Sequence, residues 1–132
     1  MADDFDIECD RLSGAIDSTQ FERIRWARTE GPMLERLVGL ARSALDGRSE
    51  FELTEEGSTG ACRRLVIKVH SFRIAAINIA LDGQTVAVWG EEIDRGKGRL
   101  AEAQRRTTSY QNVDESWMKG AMREIFSEIR AG

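Results

Sequence analysis

The side chains best suited to chemistry are few and scattered. His70 is the only histidine in the 132-residue chain. It closes an apolar run next to Ser71, with no Ser or Cys in a nucleophile motif nearby. A general base needs both a nucleophile and an orienting acid, so the spacing reads as a structural or surface histidine. Cys9 and Cys62 lie far apart with no CxxC spacing, and a structural zinc site needs about four such ligands. Glu91, Glu92 and Asp94 form a carboxylate cluster that, with Asp82 and Lys97, could hold magnesium for phosphodiester cleavage. The plainer reading is a solvated loop, because Asp82 already has a turn to serve and the spacing prescribes no ligand geometry.

The stretch from Gly90 to Gly98, GEEIDRGKG, carries glycines and a lysine as a phosphate loop would. The Walker pattern needs four residues between its first two glycines and a Ser or Thr after the lysine. Here five residues separate Gly90 from Gly96, and Gly98 follows Lys97, so the match fails. Beyond it, Arg95, Lys97, Arg99, Arg105 and Arg106 surround the single acid Glu102. With Tyr110 following, and Lys119 and Arg123 on the last helix, such a segment could contact phosphates and stack on a base. Pairing with the acidic first half of the chain, or with a second copy's, is the preferred reading. Residues 1–60 hold 14 acids and 7 bases, whereas 61–132 hold 9 acids and 12 bases.

These residues must be carried by a framework, and the hydrophobic pattern supplies one. Phe5, Cys9, Leu12 and Ile16 recur at helical spacing. Asp17-Ser18 offers a cap for a second helix bearing Phe21, Ile24 and Ala27. Gly31-Pro32 interrupts it, and Met33, Leu34, Leu37, Val38, Ala41 and Leu45 mark a third, closed by Gly47. The period then shortens to two: a strand at Phe51–Leu53 is followed by Leu65–His70, Ile74–Leu81 and Gln84–Trp89. Asp82-Gly83 signals a two-residue hairpin turn in which both positions need positive φ. Parity then sets Ile77, Ile79, Leu81, Val86 and Val88 on one face. Leu65 and Ile67 join them only through a three-residue loop or a bulge near Ala75-Ala76. Residues 91–112 read as irregular or a short helix, with helix formers over Leu100–Arg106. Asn112 and Glu115 suggest a capping box for a helix over 113–130 carrying Trp117, Met118, Ala121, Met122, Ile125 and Phe126.

The expected architecture is therefore a single α+β domain over 1–132. N-terminal helices (1–47) precede a four-stranded antiparallel meander (49–90), and a C-terminal amphipathic helix packs on the sheet. Gaps between strands are too short for parallel crossovers. Trp26 and Trp117 read as core residues on helix faces.

Composition narrows the classes. A hydrophobic content of 41% excludes wholesale disorder, and the apolar runs are far shorter than a membrane span requires. The net charge of −4 argues against a nucleic-acid binder driven by overall positive charge. The acidic start lacks the basic region of an export signal, which predicts a cytoplasmic protein with no membrane partner, its thiols reduced and buried as small hydrophobes. The sheet face opposite the core presents Ile74, Ala76, Asn78, Ala87 and Trp89, small side chains around an indole that suit a closely packed partner. The expected function is a non-catalytic protein-interaction module, adaptor or chaperone-like and homodimeric, with no cofactor or metal. The alternative is a nucleic-acid-binding or regulatory protein using segment 95–106. A metal-dependent hydrolase at Glu91, Glu92 and Asp94 is the third reading.

Overall fold

A computed structural model describes residues 3–100 and 104–131. The chain divides into two compact units, Met1–Met33 and Leu34–Gly132. The first unit holds helix α1 (Asp4–Ile16) and the opening of helix α2 (Ser18–Ala44). Asp3 caps α1 by accepting from the Asp6 amide at 2.8 Å, and Asp17 accepts from the Gln20 amide at 3.1 Å where α2 starts. Both caps satisfy amides that the first helical turn leaves without carbonyl partners.

The expected break at Gly31-Pro32 does not occur: α2 runs through Pro32 without interruption. A proline removes one rung of the ladder, and helical residues on both sides keep the axis going; burial of Leu34, Leu37, Val38 and Ala41 holds the second half in place. The division between units nevertheless falls one residue past this proline, between Met33 and Leu34.

The second unit is built on a five-stranded antiparallel sheet in the order β1 (Phe51–Glu55), β2 (Cys62–Val69), β3 (Phe72–Asp82), β4 (Thr85–Glu91), β6 (Arg106–Ser109). Between β4 and β6 lies the short β5 (Gly98–Arg99), which pairs with β7 (Arg130–Ala131). A 3-10 turn (Tyr110–Asn112) leads into α3 (Glu115–Glu128). The α+β class, the antiparallel sheet and the terminal helix packed on it are as the sequence predicts. The fifth strand is new, and residues 104–109 form no helix; Ala101–Ala103 of the expected helical stretch lie outside the described residues. Arg106-Thr107-Thr108-Ser109 contains no apolar residue, so nothing in its hydrophobicity marks it as a strand.

The parity argument holds, with different turns. Asp82 pairs with Thr85, so the β3–β4 turn is Gly83-Gln84, and Gly83 alone takes positive φ, at +61°. Ile79 therefore faces Val88 instead of Val86, a slip of two residues that leaves every side chain on its expected face. Between β2 and β3 the turn is His70-Ser71, with φ of 50° and 69°. Lys68 pairs with Arg73 and Ile67 with Ala75, so Ile74 is the extra residue of a bulge. That bulge returns Leu65 to a position opposite Ile77.

One face of the sheet thus gathers Leu53, Leu65, Ile67, Ala75, Ile77, Ile79, Val86 and Val88, all buried, beneath α3 and the second half of α2. Arg42 donates to the Leu53 carbonyl and Arg36 to the Val113 carbonyl at 2.7 Å, tying α2 to the strand β1 and the approach to α3. At the margins of this apolar face, Arg63 reaches Glu35 of α2 at 2.6 Å, and Arg106 reaches Glu124 and Glu128 of α3. The α3 cap is Asp114, which accepts from the Trp117 amide at 2.8 Å, two residues later than the expected Asn112. Asn112 belongs to the 3-10 turn and donates to Ser109 instead. Trp26 and Trp117 are half-buried, at the margin of the packing and outside the core.

Candidate functional site

Strand alternation places Cys62, Arg64, Val66, Ala76, Asn78, Ala80, Ala87, Trp89 and Glu91 on the face away from α3. Asn78 sits at its centre, opposite Arg64 on one side and Trp89 on the other. It is 4% exposed and is the only buried polar residue among those described. Its amide donates to Glu91 Oε1 at 2.9 Å, and its carbonyl oxygen lies 3.7 Å from the Cys62 thiol, which donates. Arg64 donates to the other Glu91 oxygen from Nη2 at 2.9 Å and from Nε at 3.1 Å. Arg64 also reaches the Glu56 carbonyl, while the Glu56 carboxylate accepts from Arg73 at 2.9 Å. The Arg105 guanidinium lies over the Trp89 ring, 3.9 Å from its centroid.

The electrostatics follow from these bonds. The Arg64 hydrogen bond holds the Glu91 carboxyl below the usual carboxylate range, against its partial desolvation, and Asn78 adds to the effect. Arg73 likewise lowers Glu56. Burial pushes the Cys62 thiol up; nearby Arg105 opposes this and Glu91 reinforces it. Cys62 is thus held as a neutral thiol, the opposite of an activated nucleophile.

Of the expected partner-binding residues, Ala76 is fully buried, packed with Val66 under Ile93, and Asn78 is committed to Glu91 and Cys62. Ile74, Ala87 and Trp89 are half-buried. The three acids of the hydrolase reading are held apart: Glu91 by Arg64 and Asn78, Glu92 by Arg99 at 3.2 Å, with Asp94 exposed in the loop beyond. No group of three metal-ligating side chains occurs among the described residues. The His70 side chain is exposed at the hairpin tip.

The basic segment does not form one patch. Arg105 turns to Trp89 on the outer face, and Arg106 turns to Glu124 and Glu128 on the helical face. Arg99 binds Glu92 and the carbonyls of Gly96 and Gly98, and Lys97 lies over the Phe72 ring at 3.7 Å. Arg95 is exposed, at φ +60°. The glycines of this loop serve packing: a Cβ on Gly96 or Gly98 would lie 2.8 or 2.7 Å from the Ile74 carbonyl oxygen at the bulge.

In the first unit α1 is amphipathic as its spacing predicts, and the expected burial of Cys9 is what the structure overturns. Among the described residues of α1 none is buried. Phe5 is 74% exposed, Leu12 56% and Ile16 79%, with Cys9 exposed between them, against the expectation that both cysteines are buried. Cys9, Asp10 and Ser13 of α1 line a groove with Phe21, Ile24, Arg25 and Arg28 of α2, so the two helices meet on the side that omits Phe5, Leu12 and Ile16. The spacing of these residues identifies an amphipathic helix, and only the exposures show that Phe5, Leu12 and Ile16 stay uncovered among the described residues of the first unit.

No protein-family model, curated protein or solved structure matches this chain. Fold and site define it as an α+β protein with a helix-covered antiparallel sheet and a separate N-terminal helical unit; among the described residues no helix is long and apolar enough to cross a membrane.

Proposed function

We propose that this chain is a non-catalytic protein-interaction module, cytoplasmic and of the adaptor or chaperone-like kind, that binds a protein partner through the surface of α1. The exposed row Phe5, Leu12 and Ile16 carries this reading. A 13-residue helix is marginal alone in water, and its stability comes from burying an apolar side. That side is open here. The outer sheet face is the weaker candidate, since Ala76 and Asn78 lie under Ile93 or within the Glu91 network and Trp89 is occupied by Arg105. The occupied carboxylate of Glu91 and the raised Cys62 thiol support a non-catalytic role, and the dispersal of Arg99, Arg105 and Arg106 favours the protein partner over nucleic acid.

The test is capture by the full chain from cell lysate, compared with a Leu12→Glu, Ile16→Glu variant. Proteins retained by the natural chain and lost by the variant, with the sheet unit's unfolding unchanged, support the reading. Identical capture by both removes it.

A further inference from the structure

We infer that the chain forms a two-fold dimer through the free edge of its sheet, with β6 of one copy pairing antiparallel with β6 of a second and the two α3 helices meeting beside the joint. This goes beyond the α1 reading and does not depend on it. The two edges of the five-stranded sheet differ. At β1 the outer backbone groups are taken: the Phe51 amide donates to the Arg48 carbonyl at 3.0 Å, and Arg42 donates to the Leu53 carbonyl. At β6 they are open. The Tyr110 amide points inward to the Gln84 carbonyl at 2.6 Å, so alternation turns the backbone groups of Thr107 and Ser109 outward. Both residues are exposed, and the strand carries none of the proline, bulge or lysine that commonly guards an edge.

A four-residue strand offers few backbone bonds, and the helix beside it supplies further contact. Arg106, Thr107, Trp117, Gly120, Ala121 and Glu124 line a cavity of about 280 Å³ along this edge. Gly120 costs its helix about 1 kcal/mol relative to Ala, yet a Cβ there would meet nothing within 4 Å among the described residues. A second helix crossing closely at that point accounts for it. Arg106 reaches Glu124 and Glu128, which sets the level of the strand against the helix returning beside it. Thr108 lies about 6.6 Å along the strand from Arg106, and Ala121 lies about 7 Å back along α3 from the midpoint of those acids. One two-fold axis at this level therefore serves both elements. On the strand it sets each Ser109 amide opposite the partner's Thr107 carbonyl, and Arg106 opposite the partner's Tyr110. On the helix it sets Gly120 against the partner's Ala121, and the half-buried Trp117 against the partner's Glu124, an acceptor for the indole N–H. Like charges do not face each other: Arg105 meets the partner's Gln111. An unrelated extended peptide would satisfy the strand alone and leave Gly120 without a reason, so the occupant is a second copy.

Light scattering of the full chain at high micromolar concentration is expected to give about twice the 14.8 kDa mass of one chain, falling toward the single-chain mass on dilution. Gly120→Glu should raise the dissociation constant at least about tenfold, because it sets two carboxylates at the crossing. The same change should raise the thermal midpoint of the separated chain, since it removes a glycine from a helix and fills open space. Thr107→Pro, which removes an outward amide and spares the bonds to β4, should also disperse the dimer. Leu12→Glu with Ile16→Glu should leave the mass unchanged. A single-chain mass at every concentration overturns the inference. So does a dimer that either folded edge variant leaves intact, or one that the α1 variant disperses. If circular dichroism shows Thr107→Pro unfolded, Gly120→Glu alone decides.

Discussion

Asn78 shows how much a single polar side chain can organise. Both its amide groups are used, one toward Glu91 and one toward Cys62, and Asn78 itself is buried. Truncation to Ala leaves one Glu91 oxygen without its donor, and Asn78→Ala should cost about 1–3 kcal/mol in urea unfolding. Glu91 itself titrates below the ordinary range in the folded chain, so its ion pair stabilises the fold above the unfolded-state pKa and that contribution is lost as pH falls through the lowered folded value. Glu91→Gln should flatten the acid limb of a stability-against-pH curve and leave its neutral-to-alkaline part parallel to that of the natural chain. None of this pairing is visible in the sequence. Glu91 stands out there only as one of three neighbouring acids, and its partner Arg64 is 27 positions away, brought close by a cross-strand register that depends on a bulge. Gly98 has a similar history. It reads as part of a failed phosphate loop, yet its role is to let the backbone approach Ile74, and Gly98→Ala should destabilise by about 1–3 kcal/mol through the forced separation.

Elements whose hydrophobic period is strong are the ones the sequence announces. The four meander strands, their shared core face and the need for either a three-residue loop or a bulge all follow from counting positions, since a one-residue slip would expose Leu65 or Ile77. Turn identity is less legible, because His70-Ser71 adopts left-handed conformations without the Asn or Gly that usually marks such a turn. The hairpin selects φ > 0 at both positions to match strand twist, and the chain tolerates two non-glycine residues there at some cost. Replacing them by the favoured pair, His70→Asn with Ser71→Gly, should raise stability by about 1 kcal/mol, seen as a higher midpoint in thermal denaturation without change in the sheet register. Two elements escaped for opposite reasons. The strand Arg106–Ser109 has no apolar residue to mark it, and Pro32 is a strong breaker in isolation whose cost is one rung in a 27-residue helix.

The two units differ in what holds them. Among the described residues, every member of the buried apolar core lies between Leu34 and Ile125, within the second unit. Leu34–Gly132 expressed alone should therefore unfold cooperatively, with a denaturation midpoint close to that of the full chain; a loss of cooperativity in urea would show that the first unit contributes to the core. The same division separates charge, with the acidic excess on one side and balanced charge on the other. Uneven charge was legible from composition, but its boundary at Met33 was not, because a linear sum has no knowledge of where packing stops.

Cys9 stands in the middle of the exposed row, while Cys62, the other cysteine, is half-buried with its thiol pushed up by desolvation. An alkylating dye applied briefly near neutral pH should mark Cys9 well ahead of Cys62, giving a singly tagged chain without engineering. A docked partner would shade that sulfur, so slowed dye uptake becomes a built-in gauge of occupancy.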